Sequence, residues 1–236
     1  MGWLLYAADN NDSIVPNIMD PLASSSGLAS SWVDLPLHSN ALPGATNVNL
    51  VMRGLLFPYD NSLKVYICPG QKGIYDSNQG IELPLPPARS FSISCHMCGV
   101  GPGPNGGVDR AVLPGNPPDA LANIKTTQIN RPGPSQAFVF MDESECTIGA
   151  YGGFWVTDIE LSFAHPGALQ SWSWNYPSFR HGGVASVSFA DGHSELHKWL
   201  DPDPSRVKPG GGYSSIDGPM PGRDLRWVRD RFIYPP

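Results

Sequence analysis

Charge is the scarcest commodity in this 236-residue chain: Asp, Glu, Lys and Arg together make up 15% of it, against about 25% in an average soluble domain. The deficit is mainly of positive charge, with 15 Lys and Arg against 21 Asp and Glu and a formal net charge of −6. Binding nucleic acid takes a basic stripe that neutralises phosphates, and none is present. The one local concentration, Arg223, Arg226, Arg229 and Arg231, alternates with Asp224 and Asp230 and reads as a solvated helix face. Long apolar runs are missing too. The opening Met1 to Ala8 run stops at Asp9-Asn10-Asn11-Asp12, far short of the about twenty residues of a membrane span, and it has no basic start or cleavage site of a signal peptide.

Also absent are a Walker A loop, a G-x-S-x-G elbow and an H-E-x-x-H zinc helix. Gly101-x-Gly103-x-x-Gly106 formally matches a dinucleotide fingerprint, but its prolines prevent the helix whose amides would hold a pyrophosphate.

What the chain does have is 26 Gly and 25 Pro. Pro breaks helices and Gly weakens them, so a helical bundle is excluded. Seven Trp, eight Tyr and nine Phe argue against disorder. The expectation is an α+β fold: a helix remnant at the N-terminus packed on a β-rich, loop-rich antiparallel globular head. We expect one such head over 1–236, with 1–9 the end of a helix and 201–236 a Pro-rich tail carrying a short helix from Asp224 to Phe232.

Between these limits, Asn10 to Asn40 reads as irregular. Val48, Val51, Met52 and Leu55 recur at helical spacing, predicting a helix over Thr46 to Tyr59 closed by Pro58. Leu63 to Cys68 and Arg89 to Ser94 are strand candidates. Gly99 to Pro118 is a long Gly/Pro/Asn loop of the kind that can bind. Ala137 to Met141 is a buried strand by its continuous apolar run, and Gly152 to Val156 another short strand. Asp191-Gly192 between Val184–Ala190 and His193–Trp199 signals a hairpin. A two-residue turn there pairs Phe189 with Ser194 and Val187 with Leu196, which puts Leu196 on the core side and His193, Glu195 and His197 on the other.

Four cysteines, Cys68, Cys95, Cys98 and Cys146, allow three pairings. Disulfides, which would imply an oxidising compartment, are the favoured reading; buried thiols and a metal site stay open. Asp142, Glu143, His181, Asp191 and His193 are candidate ligands for a divalent cation, calcium or zinc, because carboxylate and imidazole suit such ions. The plainer reading makes His193 and His197 cross-strand hydrogen-bonding residues. Asp9 to Asp12 reads as a helix-terminating Asx turn rather than a calcium loop. Glu143 or Glu145 with His181 could exchange protons, yet no nucleophile accompanies them, so we expect no enzyme and no catalytic residue.

His181, nine residues, then Asp191-Gly192 resembles the C-terminal signature of prepilin-type proteins of planctomycete and verrucomicrobial bacteria, relatives of the type II secretion major pseudopilin. In the same order, Leu4 to Asn10, Val65-Tyr66-Ile67-Cys68-Pro69, Arg89-Ser90-Phe91-Ser92, Pro134 to Glu143, Phe189 to Trp199 and Asp224 to Val228 are similar to that family. The resemblance implies a pilin-like head on an N-terminal helix whose first half is a membrane segment behind a cleaved leader. It further implies a structural subunit of filament assembly or protein secretion, periplasmic or extracellular and anchored in the inner membrane, with other pilin-like subunits or secretion components as partners. The leader, the apolar segment and the glutamate expected near the mature start are not in this sequence, so Trp3 to Tyr6 would be what remains of the packing helix. The competing reading is an extracellular carbohydrate- or ligand-binding module using Trp172, Trp174 and Tyr176, near which Trp155 also falls. A metal-dependent enzyme ranks third.

Overall fold

A computed structural model describes residues 1–17, 31–34, 42–76, 79–94, 97, 125–148, 153–154, 175–201 and 222–231. The fold is α+β. The predicted starting helix forms as α1 (Gly2–Asp9). It ends where Asn11 and Asp12 take left-handed φ of 54° and 59°, a conformation that Asn and Asp tolerate better than most residues. The Asp12 amide there bonds back to the Ala7 carbonyl.

The helix expected over Thr46 to Tyr59 is broken in two: α2 (Val48–Met52) and α3 (Phe57–Asp60). Gly54 is the reason. A Cβ there would lie 2.1 Å from the Trp32 carbonyl oxygen, and the Leu55 amide turns aside to bond Ser31. Pro58 therefore opens α3 instead of closing a longer helix, as suits a residue that has no N–H to offer. Leu63–Tyr66 is a 3₁₀ turn, not a strand. The alternation that suggested a strand survives only at its end, where Tyr66 and Cys68 are buried on either side of Ile67; Lys64 and Val65 are both exposed. The Tyr66 carbonyl takes the Ser90 amide, and the Cys68 amide donates to Ser90 Oγ at 2.8 Å.

A small hairpin, β1 (Ile74–Asp76) with β2 (Ile81–Leu83), precedes the main sheet. That sheet contains β3 (Phe91–Ser94), β4 (Phe138–Asp142), β5 (Gly153–Phe154), β6 (Val184–Phe189) and β7 (Ser194–Lys198), in the order β5-β3-β4-β6-β7. The apolar run at 137–141 is its central strand, as its burial needs predict. All pairings are antiparallel except β3 with β5, which is parallel.

The hairpin of β6 and β7 forms, but its register differs by one residue. Ser188 faces Ser194, Val187 faces Glu195 and Ala185 faces His197. Ala190, Asp191 and Gly192 make a three-residue loop: the Gly192 amide bonds Phe189, Phe189 bonds His193, and Gly192 sits at φ 93°. This is the type I turn with a left-handed glycine bulge rather than the two-residue turn. A slip of one residue flips every side chain of the strand. Leu196 is accordingly 77% exposed, and His197 lies on the core side, stacked on Trp227 at 3.7 Å.

Two apolar clusters cover the two faces of the sheet. One joins Trp3 of α1, Val15, Trp32, Leu50, Ile93 and Val139. The other joins Phe138, Met141, Val187, Phe189 and Trp199 to Leu225 and Val228 of α4 (Arg223–Arg229). The C-terminal helix is thus not simply solvated. Asp224 is buried, accepting from the Leu200 and Asp201 amides while its own amide donates to Asp201. Among the described residues no helix is long and apolar enough to cross a membrane.

Candidate functional site

His181 and Asp191-Gly192 bracket β6. His181 stands at its start and Asp191-Gly192 at its end, about 20 Å apart for six extended residues. The two ends do different things.

At the turn end, Asp191 and His193 are exposed and pair with each other, Oδ1 to Nδ1 at 2.6 Å. Two hydrogen bonds from His193 hold the Asp191 carboxyl below its ordinary range. Gly192 meets α1: a Cβ on it would come within 2.8 Å of Leu4 Cδ1. The positive φ and this close approach both call for glycine. The loop is tied down as well, since the Ala190 and Asp191 amides donate to Ala137 and Pro134. Beside the contact a cleft of about 230 Å³ runs between the start of α1 and the sheet, walled by Trp3, Leu4, Val139, Phe140 and Ser188.

At the other end of β6 lies a cluster of reactive groups. His181, Gly182 and Gly183 have φ of 59°, 73° and 84°, three successive left-handed residues that reverse the chain before β6. His181 pays strain there that the glycines do not. The turn aims its imidazole at the buried Cys68, with Nε2 3.0 Å from Sγ. Cys68 arrives from the 3₁₀ turn and Pro69-Gly70. Gly70 packs so tightly on the ring that a Cβ would sit 2.4 Å from His181 Cε1. Asp142, at the end of β4 and 1% exposed, completes a triad whose donor atoms all lie within 4.8 Å of one another.

Arg180 spans the cluster. It donates to Asp142 Oδ1, to Glu145 Oε2 at 2.6 Å and to the Glu143 carbonyl at 3.0 Å. Burial pulls its guanidinium down, but Asp142, Glu145 and Cys68 outweigh that and leave it raised. For Asp142 burial wins: its carboxyl is raised despite Arg180, His181 and Ser178.

The five candidate ligands therefore do not form one site. Asp142 and His181 meet, and Cys68 joins them. Asp191 and His193 belong to the turn end. Glu143, fully buried, bonds Ser92 and Asn175 instead. Cys68 forms no disulfide, contrary to the favoured expectation, because its sulfur faces an imidazole. Cys95, Cys98, Trp155, Trp172, Trp174 and the 99–118 loop lie outside the described residues. Tyr176 is half-buried, its backbone bonded to Ser144 and Thr147, and burial raises its hydroxyl. Sequence reading missed Arg180 and the role of Cys68. Arg180-His181-Gly182-Gly183 beside a strand start was the available signal, since two glycines after a histidine permit such a turn.

No family model matches the chain, and neither a curated protein nor a solved structure matches it.

Proposed function

We propose that the chain is the globular head of a pseudopilin-like subunit, working by assembly and partner contact in filament formation or protein secretion. The observation that carries this reading is the seat of α1. Trp3 is buried in the apolar layer over the central strand β4, Ala7 is buried too, and Leu4 abuts Gly192 at the hairpin tip. In this reading the His181…Asp191-Gly192 spacing has a mechanical meaning: it measures out β6 and puts the glycine where the helix needs a residue with no side chain. Met1 and Leu5, 86% and 48% exposed, give α1 an apolar outward side suited to neighbouring helices. Pilin-like folding, placement outside the inner membrane and pilin-like partners all belong to this proposal.

The test is to recover the native protein from its own cells, sequence its mature N-terminus and fractionate it. The head reading expects about twenty apolar residues ahead of Trp3, membrane association, and cross-links from Leu5→Cys to pilin-like subunits. A native product that lacks such a segment and stays free of pilin-like partners overturns it.

A further inference from the structure

We propose that Cys68, His181 and Asp142 form a binding site for a single thiophilic divalent cation of the zinc class. Thiolate, imidazole and carboxylate are the three donor types zinc takes, and three protein ligands leave a fourth position for water. Calcium is disfavoured, because it takes oxygen ligands while sulfur and imidazole select softer ions. Among the described residues this is the one group of three such side chains with donor atoms close enough to share an ion.

Three features of the cluster favour a cation over a plain thiol–imidazole hydrogen bond. Charge is the first. Two carboxylates, Asp142 and Glu145, share the one guanidinium of Arg180 beside the Cys68 sulfur. A dication would supply the missing positive charge next to Cys68 and Asp142, which are 3% and 1% exposed. Support is the second: Arg180 grips one oxygen of Asp142, the outer contact that orients a ligating carboxylate. Access is the third. His181 is exposed, so an ion can reach the buried sulfur and carboxylate past the imidazole. Bound there, it would tie the 66–70 turn, the end of β4 and the start of β6 together, at the opposite end of β6 from the Gly192–Leu4 contact. The site is independent of the pseudopilin reading and can fail without it.

The experiment uses the full chain, stripped with chelator and titrated with Co²⁺ and then Zn²⁺. We expect one equivalent bound, a sulfur-to-cobalt charge-transfer band, and displacement of cobalt by zinc. The band should vanish in Cys68→Ser and in His181→Gln. It should persist in the Cys95→Ser/Cys98→Ser double variant and in Asp191→Asn. Zinc should raise the unfolding temperature of the wild type and leave that of Cys68→Ser unmoved. If Cys68→Ser does not fold, His181→Gln, altered at an exposed side chain, decides the matter by the same two readouts. Absence of saturable binding to the wild type overturns the proposal. So does a band that survives loss of Cys68 or His181, or one that disappears with Cys95 and Cys98.

Discussion

Asp142 and Glu143 are neighbours in sequence, both buried carboxylates at the end of the central strand, and their side chains enter opposite kinds of environment. Glu143 enters a closed one. Ser92 and Asn175 donate to its two oxygens, and Arg89, 2% exposed, donates to Ser92 at 2.6 Å and to the Phe91 carbonyl at 2.7 Å while lying over the Trp32 ring. Asp142 enters an open one, with a thiol, an exposed imidazole and a guanidinium it shares with Glu145. Successive residues of a strand point to opposite faces, so one dipeptide serves both. A closed network in which both carboxylate oxygens accept hydrogen bonds holds the fold together. An open cluster with excess negative charge and a route to solvent is where chemistry can enter.

The comparison breaks most visibly at Arg89. Removing one partner of a buried charged network costs about 3–5 kcal/mol, so Arg89→Met should show that loss in urea unfolding; a loss under about 1 kcal/mol would mean the network is not closed. Next comes pH. Burial outweighs Arg89 and raises the Glu143 carboxyl from an ordinary 4.5 to about 7, so the folded chain holds this proton more tightly than the unfolded one. The resulting stability is fully present below about 4.5, falls as pH rises to about 7, and is flat above. The fall is on the order of 3 kcal/mol, and Glu143→Gln should remove most of it; Asp142, raised in the same direction, keeps the remainder. Denaturation midpoints across that window read both.

Two smaller effects sharpen the contrast. Gly192→Ala places a side chain at φ 93° against Leu4 and should cost about 1–2 kcal/mol, with increased proteolysis at α1 as its local mark. Cys68→Ser in metal-free protein should change stability by less than about 1 kcal/mol, since an open cluster contributes little to holding the fold. A large loss there would make Cys68 part of the frame.

Local pattern revealed the elements better than their joints. The central strand, the hairpin and both terminal helices were legible because apolar runs, alternation and Asp-Gly act within a few residues. The hairpin register was not, because Asp-Gly serves both the two-residue turn and the bulged three-residue loop, and only the Ala190 and Asp191 amides bonding to 134–137 choose between them. The break at Gly54 depends on the Trp32 carbonyl, twenty-two positions away. Likewise the Cys68–His181 contact joins residues 113 apart. The even number of cysteines suggested disulfides, and no local signal could say that one of the four would face a histidine.

X-ray absorption at the zinc edge, on protein loaded with one equivalent, tests the open end of β4 most directly. A shell of one sulfur at about 2.3 Å with nitrogen and oxygen at about 2.0–2.2 Å is the predicted result. A shell of two or more sulfurs, or of none, would contradict it.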